Sequence, residues 1–320
     1  MAVPPAPSVP PAPSTPADPT APVFRQLTDS EAPLFRSLPD AGLVGRAIAG
    51  VEYRTVAEGG DYRPEWSWVA LRDGVVVARA AWWGGPDDHE PLLLNWFDVA
   101  DGEDEAGAEL LRRAPWTVEY ELIAPVGWRD DPALRKAVES RTDAARAAGM
   151  KPLVERFQYR WTPDLGLPER PGRLEFRPEP DDDVIFDVLR RVHSATLDAH
   201  ASRTSDKEGL DRAAQEELDF FRWCPSPREW WQLAYDPAGE LVGIHVPAHN
   251  PSGPCVGFIG VVPEQRGHGY AYDLLVECTN VLAENGAEFI AAGTDQGNFP
   301  MAAHFTRAGY PVVQERINLV

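Results

Sequence analysis

Residues 261–275 read VVPEQRGHGYAYDLL. A β-branched pair runs into a proline, an Arg-Gly-x-Gly turn follows, and the pattern then becomes helical. Ala271, Leu274, Leu275, Cys278, Val281 and Leu282 share one helix face, and Gly286 stops it. Gly267 and Gly269 therefore sit where a strand delivers the chain to a helix N-terminus. Unpaired N–H groups and the positive end of the helix dipole favour an anion there, and a turn without Cβ atoms lets a ligand approach the backbone. Arg266 adds a cation, so the stretch predicts a phosphate or pyrophosphate site. It is not a Walker A loop, which requires Gly-Lys-Ser/Thr. Nor is it a dinucleotide fingerprint, because Tyr272 occupies the slot of the third glycine.

The rest of the chain narrows the class. Its 320 residues predict two domains, and a hydrophobic fraction of 43% suffices for sizeable cores. No apolar run is long enough to span a bilayer, and the N-terminus lacks the pattern of a secretory signal. Cys224, Cys255 and Cys278 are odd in number and have no metal-ligand spacing, which predicts no metal site and a cytoplasmic setting. A net charge of −20 argues against nucleic acid as a partner. Neither membrane association nor an oligomeric state is predicted.

Residues 1–23, rich in Pro, Ala, Ser and Thr, predict a disordered tail. A Pro- and Gly-punctuated stretch, 164–173, predicts a linker between halves 24–163 and 174–320. The halves resemble each other. EWSWVALRDGVVVARAAWW from Glu65 and EWWQLAYDPAGELVGIHVP from Glu229 both read as hairpins. AGMKPLVER (Ala148 to Arg156) and AGYPVVQER (Ala308 to Arg316) align without a gap, so an internal duplication is predicted. In the second half, helices are expected over about 183–197, 210–222, 269–285 and 301–308. Strands are expected from Leu174 and over 230–235, 240–246, 256–262, 288–293 and 311–319. The fold class is α+β (α/β): a mixed, mostly antiparallel twisted sheet with helices on both faces, twice over.

Val261, Pro263, Arg266, Gly267, Gly269 and Ala271 spell V-x-P-x-x-R-G-x-G-x-A. TDQGNFPMAAHFTRAGY, about thirty residues on, places Asn298, Met301, Gly309 and Tyr310 in a second pattern. The pair resembles the two signatures of the GNAT superfamily of acyl-CoA N-acyltransferases. The resemblance implies acetyl-CoA as cosubstrate, its pyrophosphate cradled by the backbone of Arg266, Gly267, His268, Gly269, Tyr270 and Ala271. It implies that Val261 and Val262 pair with the pantetheine arm between two splayed parallel strands. Asn298, Met301 and Phe305 would line the same arm. It further implies direct attack by a small-molecule or peptide amine, with the Val261 N–H stabilising the oxyanion.

Two departures stand out. Phe305 occupies the position where many members of that family carry a tyrosine acid, and His304 and Tyr310 lie close by in sequence. No carboxylate occupies the central strand; His245, His249, Asp198, His200 or a water relay are open as the base. A non-catalytic acyl-CoA-binding module is the alternative. In the first half, DVADGEDEAGA (Asp98 to Ala108) stands opposite VVPEQRGHGYA. Asp101, Glu103, Asp104 and Glu105 would repel a pyrophosphate, which predicts a degenerate copy. Trp82, Trp83 and Trp96 would fill its empty cleft or form a wall against the active half.

Overall fold

The computed structural model describes residues 21–39 and 41–320. The predicted tail lies almost wholly outside the described residues, and Val23, its last residue, already pairs with Leu71. The first half runs β1 (Val23–Gln26), α1 (Ala32–Arg36), β2 (Ser67–Arg72), β3 (Val75–Trp83) and β4 (Leu93–Val99). It continues with α2 (Asp104–Arg113), β5 (Glu119–Ala124), α3 (Pro132–Ala147) and β6 (Pro152–Trp161). The second half opens with β7 (Glu175–Pro178), α4 (Asp182–His193), α5 (Ala199–Glu208) and α6 (Leu210–Trp223). A hairpin of β8 (Gln232–Tyr235) and β9 (Leu241–Asn250) leads to β10 (Gly253–Val261) and α7 (Tyr270–Glu284). The chain ends with β11 (Ile290–Asp295), α8 (Phe299–Arg307) and β12 (Val312–Leu319).

Most elements fall where the periodicity predicts them. Helix α5 does not: it buries no residue, so it carries no apolar stripe to read. Asp198 starts it by accepting from the Ala201 N–H at 2.9 Å, and Gly209 at φ +94° separates it from α6.

The twelve strands among the described residues form one sheet, in the order β1-β2-β3-β4-β5-β12-β6-β11-β10-β9-β8-β7. Each half contributes six strands, but the last strand of each has crossed over. β12 lies between β5 and β6, and β6 lies between β12 and β11. Along the β6–β12 ladder Arg156 faces Arg316, the two arginines that the aligned repeats end on. Repeat-equivalent residues facing each other across an antiparallel pair place a local pseudo-twofold axis there. Large side chains seal the seam, among them Trp161 and Phe305, each about 1% exposed. Full burial of each such side chain contributes about 1.5–3 kcal/mol.

Each half also opens a gap between its two parallel strands. β4 and β5 pair only at Leu93–Glu119 and Leu94–Tyr120. The gap beyond is filled by Arg141 of α3, which donates to the Phe97 carbonyl at 3.0 Å and to Asp98 at 2.6 Å. Phe97 and Tyr120 pack edge to face there at 5.8 Å. The predicted tryptophan plug is thus replaced by an arginine. Trp96 packs in the separate cluster of Phe35, Tyr53 and Tyr62, with Trp83 at its margin, and Trp82 leans on Trp116 at 5.3 Å.

Asp98 occupies the place of Val261 in the repeat and is 6% exposed. Arg79 (2.8 Å) and the Trp96 indole (2.8 Å) share its second oxygen. Burial alone would raise its pKa, but the Arg141 and Arg79 guanidiniums outweigh it and hold the carboxyl below its ordinary value. A depressed carboxylate pKa gives stability that is present above the unfolded value, about 3.9, and lost as pH falls through the folded one. Asp98→Asn, which removes the carboxylate that Arg79 and Arg141 share, is expected to cost about 3–5 kcal/mol in urea unfolding. The variant should also lose less stability than the parent on acidification below about pH 4.

Candidate functional site

The second gap is open. β10 and β11 are parallel neighbours paired at Cys255–Ala291 alone, and a bulge at Gly257 turns β10 away. Only glycine fits that bulge, since a Cβ would lie 2.7 Å from the Val246 carbonyl oxygen and 2.8 Å from Ala248 Cβ. The resulting cleft measures about 900 Å³ and is lined by both signature segments, by the end of α4, by α5 and one face of α6, and by Arg156 of β6. The β9 ladder fixes which backbone groups face it. Val262 donates to the Val242 carbonyl at 3.0 Å, so the alternation of an antiparallel pair turns the Ile259 and Val261 amides toward the gap. Val262 itself is fully buried, with its N–H spent on β9 and its carbonyl on Gln265. That corrects its predicted pairing with a pantetheine arm; Ile259 is the alternate residue that the sequence reading missed.

At the mouth of α7, Gly267 and Gly269 hold φ of +83° and +74°, the left-handed region that costs other residues about 1–2 kcal/mol. The N–H groups of Gly267, His268, Gly269, Tyr270 and Ala271 make no backbone hydrogen bond among the described residues. The Arg266 N–H closes a turn onto Pro263. These five groups and the helix dipole are what a pyrophosphate needs. Arg266 contributes differently from the prediction. Its guanidinium is engaged by three carbonyls, those of Val261 (3.1 Å), Val192 (2.9 Å) and Ala195, and it holds the loop between β10 and α4. Burial lowers its pKa. Arg173, read from sequence only as linker, grips the loop from outside through the His268 (3.1 Å) and Gly269 (3.3 Å) carbonyls and buried Asp273. The His268 ring is exposed, turned to Tyr270 at 5.6 Å, and does not line the cleft.

The second signature closes the other wall. Asn298 accepts from the Met301 N–H at 3.3 Å, capping α8 and leaving its amide nitrogen without a protein partner among the described residues. Met301, His304 and Phe305 line the cleft. Phe305 stacks on Tyr159 of β6 at 4.3 Å. Tyr310 is out of reach: its hydroxyl is buried and bonded to Thr279 at 2.8 Å. Burial and nearby Arg307 lower the His304 pKa, leaving it a neutral imidazole at the edge of the cleft.

At the opposite end, the exchanged strands bring both halves together. Arg156 of β6 meets Asp295 at 3.2 Å, Asp198 at 3.5 Å and the His200 Nδ1 at 3.4 Å. His200 Nε2 lies 3.0 Å from Glu119 of β5, which also accepts from Asn318 of β12 at 2.6 Å. The Glu119 contact raises the His200 pKa, which favours the imidazolium. Glu217 of α6 lines this end without a hydrogen-bond partner among the described residues. Although Glu217 as a residue is only half-buried, its carboxyl lies deep, and loss of hydration followed by the charge of Asp198 pushes its pKa up to about 8.

Of the predicted bases, Asp198 and His200 line the cleft, but each is tied into this network. His245 is not brought to it. It is 0% exposed, bonded to Gln232 at 3.1 Å and packed on Phe176, and burial lowers its pKa to about 3. His249 packs on Trp230 at 5.6 Å, also away from the cleft. The sequence reading missed His193 and Glu217, although a signal exists for both. His193 follows Ile185 and Leu189 at four-residue spacing, and Glu217 lies between Ala213 and Phe221 at the same spacing. Both are ionisable residues on an apolar stripe.

Residues 196–310 match the acetyltransferase (GNAT) family. The matched segment runs from the acidic end of the cleft through both signatures, and the match implies acyl-CoA-dependent acyl transfer. A GCN5-related N-acetyltransferase from Sphaerobacter thermophilus superimposes over 93% of this chain and 94% of its own, at 17% identity and a TM-score of 0.52. A glucosamine N-acetyltransferase region of a fungal multi-domain β-N-acetylglucosaminidase covers 95% of this chain and 38% of that one, at 12% identity and a TM-score of 0.54. These likenesses establish the GNAT fold and no more. No curated protein matches the sequence. Among the described residues there is no cluster suited to a metal ion, and no helix is long and apolar enough to cross a membrane.

Proposed function

We propose that this protein transfers an acetyl group from acetyl-CoA to the amine of a small molecule or peptide, by direct attack within a ternary complex. The observation that carries the reading is the conjunction of an open gap beside β10 with five unpartnered N–H groups at the start of α7. The loop would hold the pyrophosphate, Ile259 and Val261 would meet the pantetheine amide, and Asn298 would add a side-chain contact. The Val261 N–H then faces the thioester carbonyl as it takes on charge, a donor fixed in place by the ladder behind it. The amine enters from the polar end lined by Asp198, His200 and Glu217. The first half, with Arg141 in its gap and carboxylates Asp101, Asp104 and Glu105 around the start of α2, is read as a copy that binds no cofactor.

A second reading, a non-catalytic acyl-CoA-binding module, is favoured by the lack of a tyrosine acid, since Phe305 has no proton and Tyr310 is locked. Native mass spectrometry should find one acetyl-CoA per chain, and an amine panel should release free thiol. Tight binding without thiol release from any amine would favour the second reading. Two molecules bound per chain would refute the degenerate first copy.

A further inference from the structure

The cleft wall holds a histidine that neither the fold nor the cofactor reading employs. His193, the last residue of α4, is 4% exposed, and neither Nδ1 nor Nε2 has a hydrogen-bond partner among the described residues. Leaving such a group unsatisfied costs about 1–3 kcal/mol, so its place on the cleft wall points to a ligand. Its position is tightly set. Gly260 lacks the Cβ that would meet Val192 at 2.7 Å, so α4 lies directly against β10 one residue from Val261. The His193 ring packs edge-on to Phe258 at 5.8 Å, and the Val192 and Ala195 carbonyls beside it hold Arg266. The imidazole therefore stands between the strand that meets the thioester and the acidic end that meets the amine.

We propose that His193 accepts the proton that the acceptor amine loses as it attacks the thioester. The role rests on the acyltransferase reading above. The amine arrives as the free base, having left its ammonium proton to solvent. Its lone pair forms the C–N bond, the C–S bond breaks with its electrons on sulfur, and the N–H proton passes to a ring nitrogen of His193. The imidazolium returns that proton to solvent or to the departing thiolate. Burial lowers the His193 pKa, opposed by Asp198, so the ring is neutral and its lone pair available at neutral pH. The other titratable or charged groups lining the same cleft are Arg266 from the loop, Glu216 and Glu217 from α6, His200 from α5, His304 from α8 and Arg156 from β6, with the Arg191–Glu264 pair beside the end of α4.

Diethyl pyrocarbonate, which acylates histidine in its neutral and not its protonated form, tests this on the whole protein from about pH 5 to about pH 8. Peptide mass spectrometry should find His193 modified, more slowly as pH falls through its lowered pKa, and protected by acetyl-CoA. His193→Gln should lower kcat with the fastest amine of the panel by about 100-fold, leave acetyl-CoA affinity unchanged and flatten the acidic limb of the pH profile. An unreactive His193 in an enzyme that turns over overturns the proposal alone. So does an acidic limb that survives in His193→Gln but vanishes in Glu217→Gln, which would make Glu217 the base. Acetyl-CoA bound without turnover of any amine sinks the acyltransferase reading and this role together.

Discussion

Gly269→Glu is expected to weaken acetyl-CoA binding by at least about 100-fold while leaving the fold intact, as read by titration calorimetry and circular dichroism. Two effects add. Any Cβ at φ +74° strains the backbone by about 1–2 kcal/mol, which the free loop relieves by leaving the conformation that binds, so the strain counts against binding. A carboxylate about 4 Å from a phosphate then adds up to about 4 kcal/mol of repulsion at the effective dielectric of a protein surface. Their sum exceeds the ~2.7 kcal/mol that 100-fold represents. Gly269→Ala separates the two, because the nearest atom to its Cβ would be Arg173 Nη2 at 3.9 Å, ordinary contact. It should lose about tenfold at most. Wild-type affinity in the glutamate variant would refute the cradle. The first half carries the same change naturally: Asp104 and Glu105 open α2 where Gly267 and His268 precede α7.

What the sequence disclosed follows from what kind of signal each feature leaves. The glycine turn at the start of α7 was legible because glycine at positive φ and the step from strand to helix are local, and the exposed amides follow from them. The duplication was legible because its repeats align. The use of Arg266 was not, because its partners are backbone carbonyls 71 and 74 residues away and carry no side-chain code. His245 attracted attention as a histidine on a strand near the motif. Only the register, which sets it opposite Ile259 but on a face packed against Phe176, shows that it is buried core. His193 and Glu217 lay on apolar helix faces, where an ionisable residue is the anomaly to look for. The exchange of β6 and β12 had no local signature at all, since strand order in a sheet is set by packing between distant segments.

That exchange makes the strongest stability prediction. Residues 174–320, the half with both signatures, are expected not to fold alone or bind acetyl-CoA. In the intact chain β12 pairs only with β5 and β6, so the half-chain leaves its last strand without a partner. β11 would lose β6 along its whole length, leaving the slanted single pairing at Cys255–Ala291 to hold it. Arg156 would go with β6, leaving Asp295, 3% exposed, without its ion pair, and His200 would lose Glu119. An edge so exposed favours aggregation. Co-expression of residues 21–165 with 166–320, which keeps Arg173 on the loop, should restore a soluble complex that binds acetyl-CoA, because every ladder of the sheet can then form. A half-chain that is monomeric, cooperatively folded and competent to bind would mean that β12 can return to its own half beside β11. The exchanged seam would then be dispensable. The first half thus has a structural task of its own: it supplies the strands on which the open cleft is built.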